Sequence, residues 1–102
     1  MQHYTDDDGF KAIDSQVAWL FKAAQPPGDH PRGAYFTTLG ADATNLALRL
    51  RIPTEKTRWF FSFVDVGDLK PLEGGRGRYI FYSPHDYVVG RERQLDSGRR
   101  PS

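Results

Sequence analysis

With 102 residues the chain is long enough for one small domain and a core of modest size. Fourteen Lys and Arg against thirteen Asp and Glu leave a formal net charge of +1, so composition implies no strongly charged partner. There is no cysteine, which excludes a disulfide framework and a thiolate metal site. No run approaches the roughly 20 apolar residues of a membrane span, and no basic segment followed by an apolar one marks a secretory signal.

His3-Tyr4-Thr5 is short and β-prone. Asp6-Asp7-Asp8 supplies N-capping side chains and negative charge for the first turn of a helix whose apolar positions are Phe10 and Ile13. Val17 to Ala23 reads as a short buried strand, and Gln25 to Arg32, with three prolines and a glycine, as a loop that borders a ligand cleft. Gly33 to Leu39 is a strand with Tyr35, Thr37 and Leu39 on one face and Phe36 and Thr38 on the other. Asp42 is expected to cap a helix over Ala43 to Arg51, ended by Pro53. Arg58 to Val66, with apolar residues on both faces, reads as a central strand.

Asp68 to Leu72 is expected to form a turn or a single helical turn. Glu73-Gly-Gly-Arg-Gly77 then connects a hairpin into a strand over Arg78 to Tyr82. No Lys-Ser/Thr follows those glycines, so they do not form a phosphate-binding P-loop. After the Ser83-Pro84 turn, Asp86 stands at the start of a second apolar run, Tyr87 to Val89. Its carboxylate either closes a local Asx-type turn or points into a cleft. The polar end, Arg91 to Ser102, is expected to fray, with residues 97–102 as a flexible basic tail beyond a single domain over 1–96. Together these elements predict an α+β domain with a bent sheet of five to six strands and two short helices.

Three contexts, His3-Tyr4-Thr5, Gly33-Ala-Tyr35-Phe-Thr37 and His85-Asp86-Tyr-Val-Val89, follow one another in that order. Order and contexts resemble the ADP-ribosyltransferase superfamily of the diphtheria-toxin and poly(ADP-ribose) polymerase type. The resemblance is nearest to its small bacterial polymorphic-toxin branch with a His-Tyr-Asp triad, and runs from His3 to about Val89. It implies a split β-sheet fold and a toxin domain that breaks the nicotinamide–ribose bond of NAD. ADP-ribose would then go to a macromolecular acceptor, protein or RNA, or to water as in a NAD glycohydrolase.

The same resemblance makes Asp86, Tyr35 and His3 the catalytic set. Asp86 would face the oxocarbenium-like charge on the ribose, Tyr35 would stack on nicotinamide, and His3 would bond the adenine-side ribose. The Tyr4 backbone would meet the carboxamide, with Thr5 and Thr37 nearby and Phe36 or Phe81 as the second face of the nicotinamide slot. Apart from the resemblance, Arg32 is the residue of the Gln25 to Arg32 loop best suited to a pyrophosphate, because its guanidinium can pair with two oxygens. The three side chains are expected in one cleft, with Tyr35 and Asp86 on neighbouring central strands. The resemblance further implies a monomeric effector delivered by a carrier into the target-cell cytoplasm, blocked by a cognate immunity protein, and needing neither metal nor membrane.

The chain departs from the family pattern at Tyr4, where the polymerases carry Gly, and at Asp86, one methylene shorter than the commoner Glu. Pro84 excludes the Glu-x-Glu arrangement of the arginine-modifying branch. Two readings outside this family meet less support in the residues. Arginines beside aromatics fit a nucleic-acid-binding module, although acids offset them. His3, His30 and His85 lack the spacing of a metal hydrolase.

Overall fold

The computed structural model describes residues 1–26, 30–73 and 79–101. Eight strands and two helices follow in chain order: β1 (Gln2–Thr5), α1 (Asp7–Asp14), β2 (Trp19–Phe21), β3 (Ala34–Thr37), α2 (Leu46–Leu50), β4 (Trp59–Phe63), β5 (Lys70–Pro71), β6 (Ile80–Ser83), β7 (Tyr87–Val89) and β8 (Gln94–Arg99). Short 3₁₀ turns at Thr54–Thr57 and Arg91–Arg93 precede β4 and β8. The result is an α+β fold with a six-stranded antiparallel sheet, ordered β5-β6-β3-β1-β4-β8, and a separate β2–β7 pair. Among the described residues no helix is long and apolar enough to cross a membrane.

The first helix forms as its sequence dictates. Asp6 takes an extended backbone and its carboxylate accepts from the Gly9 amide at 2.9 Å, satisfying one orphan donor of the first turn. Asp7 and Asp8 then place negative charge at the positive end of the helix dipole.

One face of the large sheet packs against β2, β7 and α1. Alternation sends Ala34 and Phe36 of β3, and Phe61 and Phe63 of β4, into this core beside Trp19, Phe21, Tyr87, Val89 and Ile13. The rings meet largely edge to face, as Phe36 does with Phe21 at 5.2 Å and with Phe63 at 5.4 Å. Buried Tyr4, Leu46, Leu72 and Ile80 stand apart from that cluster. They belong to the opposite face, which the segment from α2 to Thr57 covers.

Four expectations need correction. Gln94–Arg99, expected to fray, forms β8, which pairs with β4 from Trp59 opposite Arg99 to Phe63 opposite Gln94, so residues 97–99 of the expected flexible tail belong to a strand. Ladder bonds need only backbone groups, and β4 presents an open edge there, so polar side chains do not prevent pairing. The predicted Asp42-capped helix shortens to Leu46–Leu50, because Asn45 turns left-handed (φ 55°) and interrupts the helical path from Ala43. Within the turn expected over Asp68 to Leu72, Lys70–Pro71 pairs with β6 as an edge strand. The strand expected over 58–66 narrows to Trp59–Phe63. Residues 27–29 of the predicted loop, and 74–78 of the predicted hairpin connection and strand start, lie outside the described residues.

Candidate active site

The site begins where the large sheet parts. β1 is matched to β4 along its whole length, and β3 to β6 likewise, but β1 and β3 are matched only at Gln2 opposite Thr37. Beyond that pair the two strands diverge toward the end of the sheet where Thr5, Ala34 and Ser83 lie. A cavity of about 660 Å³ occupies the region, a volume within the usual range for small-molecule sites. His3, Tyr4, Tyr35, Phe36 and Thr37 are among its walls.

His3 spans the parting. Its Nδ1 lies 3.0 Å from the Tyr35 carbonyl oxygen, which can only accept, so Nδ1 carries the proton and Nε2 is the acceptor nitrogen. The imidazole packs against Phe21 at 4.7 Å and Phe36 at 5.6 Å between centroids. This burial lowers its pKa to about 4, the bond to Tyr35 opposing the shift, so the ring is neutral at pH 7.

Tyr35 leaves β3 on the other face. Its ring stacks on Tyr82, 5.5 Å away and 20° from parallel, and its hydroxyl donates to the Pro31 carbonyl. Desolvation, then Tyr82, raises its pKa. Tyr4 shares this face and donates to the Leu39 carbonyl at 2.6 Å; burial is the main cause of its raised pKa. The two triad rings therefore point to opposite faces, which corrects the expectation of three side chains projecting into one cleft. His3 and Tyr35 still border one cavity because it lies where their strands separate.

Asp86 stands elsewhere than expected. It precedes β7, which pairs with β2, whereas the neighbours of β3 are β6 and β1. The Ser83-Pro84 turn, in which the Ser83 hydroxyl donates to the His85 carbonyl at 2.8 Å, carries the chain from one sheet to the other. Asp86 is exposed and does not line the cavity. Its Oδ1 accepts from the Ala23 amide at 2.8 Å, and Lys22 and Ala24 on either side of that residue do line it. Among the described residues its second oxygen accepts nothing.

Arg32 also lies outside the cavity wall; its Nη2 donates to the Ala23 carbonyl at 3.4 Å. Thr37 is on the wall, its hydroxyl accepting from the Leu39 amide at 3.1 Å. Thr5 is buried, and a side chain at Gly9 would collide with its hydroxyl.

Sequence reasoning missed the cations of the wall. Lys22, Arg51 and Lys56 line it with His30, and among the described residues no Asp or Glu does. Arg51 adopts a left-handed conformation (φ 56°) that ends α2, its amide reaching the Ala47 and Leu48 carbonyls. Lys56 pairs with Asp6 at 2.6 Å, the chief reason its pKa is raised. These cations come from two segments far apart in the sequence, and only the prolines and turns around them hinted that the chain bends there. Among the described residues no group of three His, Asp or Glu side chains gathers as a metal site.

No family model, curated protein or solved structure matches the chain.

Proposed function

We propose that this domain binds NAD across the β1–β3 parting and breaks its nicotinamide–ribose bond, passing ADP-ribose to a macromolecule or to water. The observation that carries the reading is the cavity. It is bordered by His3, Tyr4 and Tyr35, walled by Lys22, Arg51 and the Asp6-paired Lys56, and among the described residues has no carboxylate on its lining. Such a wall favours an anionic ligand, and a dinucleotide has its negative charge on the pyrophosphate. Aromatic side chains beside it suit planar bases. Neutral His3, with Nε2 as acceptor, suits a ribose hydroxyl.

In this reading the glycosidic C–N electron pair leaves with nicotinamide, and positive charge develops on the ribose. Asp86 stands beside the Lys22–Ala24 wall, one oxygen fixed by the Ala23 amide and the other available to a ribose hydroxyl. A fixed carboxylate stabilises the developing charge more than the ground state, which is what lowers the barrier. Meeting the ribose requires the ligand to extend from the cavity past Ala23.

The test is nicotinamide release from NAD by the purified domain, with and without added protein or RNA acceptors. Asp86→Asn keeps size and loses charge, so single-turnover release should fall about 100- to 1,000-fold while NAD affinity and thermal melting hold. An Asn variant that melts normally and works at near wild-type rate would refute the mechanism.

A further inference from the structure

Arg32, expected on a pyrophosphate because its guanidinium can pair with two oxygens, donates to the Ala23 carbonyl instead. We infer that Arg32 and Gly33 are positioning residues that fix the Ala23–Ala24 backbone and, through it, the Asp86 carboxylate. The inference rests on the proposed function for its catalytic consequence, but its geometry stands independently.

Asp86 depends on one backbone donor, the Ala23 amide at 2.8 Å. That donor sits in a short segment after β2 that belongs to no strand, so something else must hold it. Two neighbouring residues do. Gly33 and Ala24 exchange both backbone bonds, amide to carbonyl, at 3.0 Å each. Arg32 then donates to the Ala23 carbonyl from the exposed side. The Ala23–Ala24 peptide is gripped through the Ala23 carbonyl and the Ala24 amide, while the preceding peptide presents the Ala23 amide to Asp86.

Gly33 also sets the distance between donor and acceptor segments. A Cβ there would come 2.5 Å from the Ser83 carbonyl oxygen and 3.1 Å from the Tyr82 ring. Backbone conformation does not demand the glycine; the closeness of Ser83 does. Ser83 opens the turn that delivers Asp86, and its hydroxyl also accepts from the His85 amide at 3.3 Å. Gly33 is therefore where the segment offering the amide meets the turn carrying the carboxylate. A side chain at this point would wedge the two apart, and a displacement near 1 Å can cost on the order of 100-fold in rate.

The experiment has two readouts. The first follows the Ala23 amide by ¹⁵N–¹H correlation spectra from pH 7 to pH 2.5. In the wild-type domain this resonance should move with one carboxyl titration, and in Asp86→Asn it should not. In Arg32→Ala the amplitude should fall at least twofold, with Arg32→Lys restoring part of it.

The second readout is steady-state nicotinamide release. Arg32→Ala should lower kcat by about tenfold and leave the KM for NAD within about twofold, since a loosened carboxylate affects the transition state more than binding. Gly33→Ala should behave likewise and more severely; should it fail to fold, the arginine variants decide alone. An Ala23 titration of unchanged amplitude in Arg32→Ala would overturn the inference, as would a raised KM at constant kcat, the signature of a ligand-binding arginine. If the wild-type domain releases no nicotinamide at all, that failure falls on the NAD reading, and the amide titration still decides the positioning role.

Discussion

His3 gives the sharpest consequence of the fold. It is held neutral between Phe21 and Phe36, with its pKa lowered from 6.5 to about 4 by burial. In the unfolded chain the ring protonates near 6.5; in the native chain it resists until about pH 4. Between those values the unfolded state binds more protons, so stability rises with pH across this window and falls as the solution is acidified. The loss is complete near pH 4 and its ceiling is about 3 kcal/mol, at about 1.4 kcal/mol per pH unit. Asp6, whose pKa is lowered chiefly by the Lys56 bond, contributes its own loss only below the ordinary carboxylate range, outside this window. The comparison is urea unfolding at pH 7.5 and pH 4.2 for the wild-type domain and for His3→Asn, whose amide can still donate to Tyr35. Wild type should lose about 2–3 kcal/mol more than the variant over that interval. Equal losses would mean that the imidazole is not buried neutral across the parting, and the description of this end of the sheet would be wrong.

Two stability predictions follow from the packing. Gly9→Ala brings a Cβ to 1.9 Å from the Thr5 hydroxyl oxygen and 3.2 Å from Asp6 Oδ1. The start of α1 must shift, and thermal melting should show a destabilisation of about 1–3 kcal/mol despite the better helix propensity of alanine. Leu46→Ala empties a site that is 1% exposed beneath α2, with an expected cost of about 2–5 kcal/mol in chemical unfolding. A cost below 1 kcal/mol would show that α2 does not seal the face carrying Tyr4 and Ile80.

Where local chemistry decides, the sequence was legible. The Asp6 cap, the alternation of Tyr35 and Phe36 and the turn at Ser83-Pro84 each reflect one or two residues acting on their own backbone. Pairing partners were not legible, because ladder bonds are blind to side chains. Polar β8 joins β4 for its open edge, and Lys70–Pro71 joins β6 although nothing in it reads as a strand. The same blindness hid the position of Asp86. A strand that follows a tight turn usually pairs back on its predecessor, but Tyr87–Val89 crosses to β2 because Tyr87 and Val89 are needed in the core between the sheets. His3 was readable as a residue of interest and unreadable as a core contact, since one histidine in a four-residue strand carries no sign of which face it takes.

The parting itself links the fold to the chemistry. The large sheet consists of two well-zipped halves, β5-β6-β3 and β1-β4-β8, joined through Gln2 and Thr37. Past that pair, each inner strand turns an edge of backbone polar groups toward a gap, and such groups need partners as much as any others. The His3 imidazole supplies one, to Tyr35. Filling the gap with apolar side chains would strand the rest, and pairing the strands fully would close the cavity. A ligand carrying hydroxyl and amide groups suits the space better than either. The proposed ligand, NAD, offers both, with a pyrophosphate for the cationic wall. The end at which the strands diverge is also the end where the Lys22–Ala24 segment holds the Asp86 carboxylate. The sheet thus stays open on the side where the Ala23 amide orients Asp86, which is the arrangement the proposed cleavage of NAD requires.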